Sequence, residues 1–138
     1  MRIMAIDYGD AHTGIAISDP TGFLAGFTTV INAYRPETVA EQIAALAKEH
    51  GAEELVLGHP INMDGTQGPR SEKAQAMKAL LEEVTSLPVV LWDERRTTID
   101  AHQILMNSGK NAKKRKQVVD AVAATLILEG YLTYKKSH

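Results

Sequence analysis

Cysteine is absent from this chain, which excludes disulfides and thiolate metal sites and leaves oxygen and imidazole as the ligands open to a cation. A reducing compartment fits that absence. Aromatic residues are few, at 5%, and Tyr8, Tyr34 and Trp92 are too scattered to form a base-stacking platform. No uninterrupted apolar run approaches the roughly 18 residues that cross a bilayer. The strand-like run Ile3 to Ile6 follows the first residues directly, with no basic region leading into a long apolar stretch, so no signal peptide and no membrane association are expected. An excess of positive charge is missing as well. The formal net charge of -2 argues against a uniformly basic, sequence-independent nucleic-acid coat, so any attraction for phosphate must be local. Lys110, Lys113, Lys114, Arg115 and Lys116 fall within one short segment, with Arg95 and Arg96 in a separate loop.

What is present is a core. With 44% apolar residues in 138, the chain can bury enough surface to fold without staples, and one domain over residues 1–138 is expected. Arg2 to Tyr8 is apolar on both alternating faces, as a strand covered on both sides would be. Gly9-Asp10 supplies turn chemistry before a second strand, Thr13 to Ser18, and the Asp19-Pro20-Thr21-Gly22 turn leads into a third, Gly26 to Asn32. This reads as an antiparallel meander. The period then becomes helical: Val39, Ile43 and Leu46 recur between Pro36 and Gly51. Glu54 to Gly58 reads as a strand, Arg70 to Ser86 as a helix and Pro88 to Trp92 as a strand, an alternation that implies right-handed crossovers and parallel pairing. A short helix from about Thr98 to Asn107, with a Thr97/Asp100 capping box, and a longer one from about Lys116 to Tyr134 close the chain. The expected class is α/β, a mixed five-stranded sheet with antiparallel hairpin strands first and parallel strands after, flanked by helices. His59 to Pro69 is too long for an idle connection and is a candidate functional loop.

Residues that follow parallel strands gather at one sheet edge, where open α/β folds place their ligands. Asp7, the loop after Gly58, and Asp93-Glu94-Arg95 should therefore be neighbours. Asp7 shares a face with Ile3 and Ala5, where an unpaired carboxylate would cost several kcal/mol or take up a proton, and a cation would relieve that cost. The alternative is an acid that accepts hydrogen bonds from the Gly9 turn. Glu94 ends the apolar run Val89 to Leu91; its alternative is a solvated charged turn. Asp120 shares a helical stripe with Ala124, Ile127 and Tyr131; its alternative is an acid complementing the positive end of a helix. Three acids in such settings suit hard divalent cations, Mg²⁺ or Mn²⁺, and a pair of these can activate water and stabilise the leaving oxygen at phosphorus. His12, His50, His59 and His102 show no paired spacing for a histidine metal site. In the loop after His59, Asn62 can contact phosphate or base, or can satisfy its own backbone in a turn. The Lys113 to Lys116 run is a phosphate patch or a solvated face.

These residues carry a resemblance. Asp7-Tyr8-Gly9 with Gly14 and Ser18-Asp19, then Asn62-Met63-Asp64-Gly65-Thr66, then Asp93-Glu94-Arg95 with Thr97-Thr98, then Lys113 to Lys116 and Asp120 with Ala123-Ala124 closely resemble the YqgF family. That family, also called RuvX, comprises Holliday-junction resolvases and pre-16S rRNA nucleases. The resemblance runs nearly end to end. It implies an RNase H-like fold, a bacterial cytoplasmic location, maturation of the 5′ end of 16S ribosomal RNA in association with ribosomal particles, and catalytic, metal-holding roles for Asp7, Glu94 and Asp120. Nucleic-acid contacts then fall to His12, Asn62, Arg95, Lys113, Lys114, Arg115 and Lys116. Two positions depart from the family pattern: His12 stands where Arg is usual, and His59 where an aliphatic residue is frequent. His12 carries charge only below about pH 6.5, so phosphate affinity there becomes pH-dependent.

Other functions compete. Branched DNA is an alternative substrate to precursor rRNA, because metal-assisted chemistry at phosphorus serves both. A catalytically silent nucleic-acid-binding or assembly factor fits the modest charge. The Asp-x-Gly hairpin also resembles the phosphate loop of actin-like and sugar-kinase ATPases, which need two such domains around a nucleotide cleft.

Overall fold

The computed structural model describes residues 1–22, 25–60, 65, 68–93 and 112–137. Among them the elements run β1 (Arg2–Asp7), β2 (His12–Ser18), β3 (Ala25–Asn32), α1 (Pro36–His50), β4 (Ala52–His59), α2 (Pro69–Val84), β5 (Val89–Asp93) and α3 (Ala112–Ser137). The five strands form one sheet in the order β3-β2-β1-β4-β5. The expected meander is present, with β1 antiparallel to β2 and β2 antiparallel to β3, and β4 and β5 add in parallel beside β1.

The near-continuous apolar character of β1 has its reason in the layers. Met4 and Ile6 point into one core with Ile15, Leu55 and Leu57 and with Val39, Ile43, Met77 and Leu81 of α1 and α2. Ile3 and Ala5 point the other way, into a second core with Ala16, Val56 and Trp92 and with Ala124, Ile127, Leu128, Tyr131 and Leu132 of α3. A central strand sandwiched between helices has no polar face. The α3-side core is lined near its centre by alanines: Ala5, Ala16 and Ala124 are each fully buried, and small residues let a helix lie close to a sheet.

Element ends follow local chemistry. α1 begins on Pro36, whose missing N–H costs nothing at that position, and stops at Gly51, which takes the left-handed conformation (φ 69°) and donates its N–H to the Lys48 carbonyl. α2 ends at Val84, two residues before the Ser86 expected from the sequence. Pro88 is the cause: it biases the preceding residue to extended backbone, and Thr85 closes the helix with its N–H on the Leu81 carbonyl while its hydroxyl accepts the Leu87 N–H.

The largest difference concerns α3, which begins at Ala112 and not near Lys116. The basic run therefore lies inside a helix and not in the segment ahead of it. Lys and Arg have unbranched side chains and are good helix formers, and neither Gly nor Pro interrupts Ala112 to Val118. The short helix expected over Thr98 to Asn107 and its capping box lie outside the described residues.

Candidate functional site

The C-terminal ends of β1, β4 and β5 lie side by side, because Ile6 pairs with Leu57, Leu57 with Leu91, and His59 with Asp93. Asp7 ends β1 at this edge, half-buried and paired with Gly14 of β2. Continuing the β1–β4 register by one residue sets Asp7 level with Gly58. Alternation puts Asp7, Gly14 and Gly58 on the α3 side of the sheet, in line with Ala5, Ala16 and Val56. The carboxylate thus stands between two strands that carry no side chain at its level.

Alternation also separates the acids of this edge. Asp93 shares the face of Val89 and Leu91, which belong to the α1/α2 side, so it lies on the opposite face from Asp7. Glu94, Arg95 and Asn62 lie outside the described residues. The backbone of α3 carries Lys113, Lys114, Arg115, Lys116 and Asp120. Asp120 is its ninth residue, two turns in, which removes the helix-end explanation because the dipole acts within the first turn. Position 120 continues the stripe of Ala124, Ile127 and Tyr131, all buried against the sheet. The other end of α3 is anchored far from Asp7: Lys135 Nζ lies 3.4 Å from both Glu54 carboxylate oxygens, and the Tyr131 phenol is bonded to the same carboxylate. Glu54 is level with Ile3.

His59 lies on the α2 side, and its Nε2 is 2.6 Å from the buried Ser71 hydroxyl, which also accepts from Gln75 Nε2 at 3.2 Å. The departure from an aliphatic residue is therefore absorbed by a hydrogen bond joining the end of β4 to the start of α2. Ser18 is structural too. Its buried hydroxyl accepts the Ile3 N–H at 2.8 Å, at the sheet end opposite Asp7.

The turn Tyr8–Ala11 leads from Asp7 to His12, the first residue of β2. A Cβ at Gly9 would collide with the His12 carbonyl oxygen, so the turn closes only around glycine. His12 Nδ1 lies 2.6 Å from Asn32 Oδ1, and since a carboxamide oxygen only accepts, Nδ1 donates. Together with Arg70 and Lys73 from the N-terminal part of α2, this turn lines a cleft of about 260 Å³. Lys73 Nζ lies 2.7 Å from the Asp10 carboxylate and holds its pKa below the ordinary value. Burial, then the charge of Asp10, pushes the Tyr8 phenol up. The sequence had not marked Arg70 and Lys73 as functional. Their i, i+3 spacing just inside a helix that starts on Pro69 is the signal that aligns them on one face.

The donors available at this edge fit a hard cation. The chain offers carboxylates and no sulfur thiolate, and the half-buried Asp7 is level with glycine on both neighbouring strands. Among the described residues no three His, Asp or Glu side chains form a metal cluster.

Comparison with known proteins adds relatives. The RuvX family pattern, described as Holliday junction resolvase, matches residues 1–134. A protein of Halothermothrix orenii named "Putative pre-16S rRNA nuclease" is 44% identical over 135 residues, covering 98% of this chain and 96% of its own. In fold, the chain is similar to T. thermophilus RuvC in complex with Holliday junction substrate, with a TM-score of 0.64, 14% identity, and coverage of 99% of this chain and 96% of that one. A ROK hexokinase from Thermus thermophilus gives a TM-score of 0.50 at 22% identity, over 75% of this chain but only 38% of its own. The fold is RNase H-like.

Proposed function

The chain belongs to the RuvX family, and from that membership we propose that it is a metal-dependent nuclease that hydrolyses phosphodiester bonds at the 5′ end of precursor 16S rRNA. The observation that carries the reading is the placement of Asp7: an acid at the joined ends of three parallel strands, flanked by Gly14 and Gly58 on the face that α3 covers. α3 supports it. From Tyr131, beside Glu54, back to Asp120 the helix rises about 16 Å, and from Ile3, level with Glu54, to Asp7 the strand rises about 13 Å. Running back from its Glu54 anchor, α3 thus brings position 120 to within about one turn of the level of Asp7.

Asp7, Glu94 and Asp120 would hold Mg²⁺ or Mn²⁺. Bound there, two such ions supply charge stabilisation for the attacking and leaving oxygens of an in-line displacement. The chain's own part is positional. Asp7 is fixed by the pairing of β1 with β2, and both flanking strands carry glycine at its level. Asn62, Arg95, His12 and the Lys113, Lys114, Arg115 and Lys116 run bind the phosphates that flank the scissile bond. That run sits at the positive end of α3, whose first turn carries no acid, and a polyanion offsets the repulsion this creates. The work is done in the bacterial cytoplasm on precursor ribosomal particles.

A second substrate, branched DNA, is favoured by the description of the matching family as a Holliday junction resolvase. The ATPase alternative is disfavoured, because the family pattern that matches residues 1–134 is described as a Holliday junction resolvase. The test is cleavage of matched RNA, duplex DNA and four-way-junction substrates in Mg²⁺ or Mn²⁺ by the wild type and by Asp7→Asn. Metal-dependent cleavage that the variant lacks is expected, and the preferred substrate ranks RNA against DNA. Absence of cleavage by the wild type on every substrate overturns the enzyme reading in favour of a binding or assembly factor.

A further inference from the structure

The cleft between the Tyr8–His12 turn and the start of α2 lies at the same sheet edge as Asp7 but on its other side, and no role above uses Arg70, Lys73 or Asp10. Two basic side chains, Arg70 and Lys73, line about 260 Å³ of open space together with the turn from Tyr8 to His12. Arg70 is exposed and forms no salt bridge among the described residues. Lys73 is held by the exposed carboxylate of Asp10 at 2.7 Å, and the charge of Glu37, at the start of α1, also reaches Tyr8 in the turn. An exposed ion pair of this kind contributes little to folding. Its place beside the exposed guanidinium of Arg70, whose charge also bears on Asp10 without a salt bridge among the described residues, is what calls for a ligand.

Resting on the nuclease reading, we infer that this cleft is a phosphate subsite for the polynucleotide backbone, in which Arg70 and Lys73 bind a phosphate and Asp10 is an internal counterion that the phosphate displaces. The chemistry fits. A guanidinium forks onto two phosphate oxygens and an ammonium binds as a point charge. Asp10 occupies Lys73 when the site is empty and competes with weakly bound anions, so the cleft discriminates against isolated anions and rewards a strand already held at Asp7. The subsite takes one phosphodiester of RNA or DNA, which share this group.

Opposite signs of effect make the test sharp. Binding of a fluorescein-labelled RNA oligonucleotide and of a labelled four-way DNA junction is followed by anisotropy in EDTA, over a range of salt, for the wild type, Arg70→Gln and Asp10→Asn. Arg70→Gln leaves the Asp10–Lys73 pair intact and is expected to weaken binding roughly tenfold. It should also lower the slope of log K against log salt by about 0.7 to 0.9, one phosphate contact. Asp10→Asn is expected to tighten binding roughly threefold. Wild-type binding with an unchanged slope in Arg70→Gln, or with Asp10→Asn no tighter than wild type, overturns the subsite and leaves the nuclease reading standing. A wild type that binds neither probe overturns both.

Discussion

Replacing Ala124 with leucine should separate the packing of α3 from its role in the site. Ala124 is fully buried one turn from position 120 and shares a core with Ala5 and Ala16, themselves fully buried. Three added carbon atoms have no space in that alanine-lined contact, so the helix must move outward, at a cost of about 1–3 kcal/mol. For a chain of this size each kcal/mol lowers Tm by roughly 3–4 °C, giving a fall of about 3–12 °C that leaves the protein folded at 25 °C. The same outward movement carries Asp120 away from Asp7. A displacement near 1 Å at a catalytic group is worth about a hundredfold in rate, so cleavage should fall by about that factor. The control is Leu81→Ala, on the opposite face and fully buried, which should cost about 2–5 kcal/mol through the cavity it leaves. Its cleavage at 25 °C should match wild type despite the greater loss of stability. Thermal unfolding and single-turnover cleavage on the three proteins read both quantities. Wild-type rates in Ala124→Leu alongside the expected drop in Tm would refute the claim that α3 positions a catalytic acid.

Two further predictions concern hydrogen bonds and titration. Ser71→Ala leaves the His59 Nε2 and the Gln75 amide without their shared partner and should destabilise by about 1–3 kcal/mol, seen in urea as a lower midpoint with an unchanged m-value; an unshifted midpoint would show that the bond contributes nothing. Burial and the Glu54 carboxylate raise the Tyr131 phenol pKa, so its contribution to stability is full below the ordinary tyrosine value near 10 and is lost as pH rises beyond it. Wild-type Tm should therefore fall more steeply than that of Tyr131→Phe between pH 9 and 11, and parallel curves would contradict the assignment.

How much the sequence disclosed depended on which signals were local. β1, β2 and the parallel pair β4 and β5 were legible because their apolar runs are bounded by turn residues, and the gathering of Asp7 and Asp93 at one edge follows from parallel pairing alone. Faces were not equally legible. That Asp93 lies opposite Asp7 emerges only when Leu91 and Trp92 are seen in different cores. The start of α3 was hidden by charge: a run of four basic residues suggests a solvated loop, yet helical propensity and a buried stripe farther along carry the helix through it. Moving that start to Ala112 removed the simplest competing role for Asp120. Arg70 and Lys73 went unmarked because they meet the Tyr8–His12 turn only in space, across more than fifty residues of chain.

The central claim is tested most directly by single-turnover cleavage of a precursor 16S 5′-end RNA and a four-way junction in Mg²⁺ or Mn²⁺, comparing the wild type with Asp7→Asn at equal folded concentration. A metal-assisted site predicts that the variant keeps its Tm and its binding in EDTA while the cleavage rate falls by about a thousandfold. Cleavage by Asp7→Asn at the wild-type rate would contradict it.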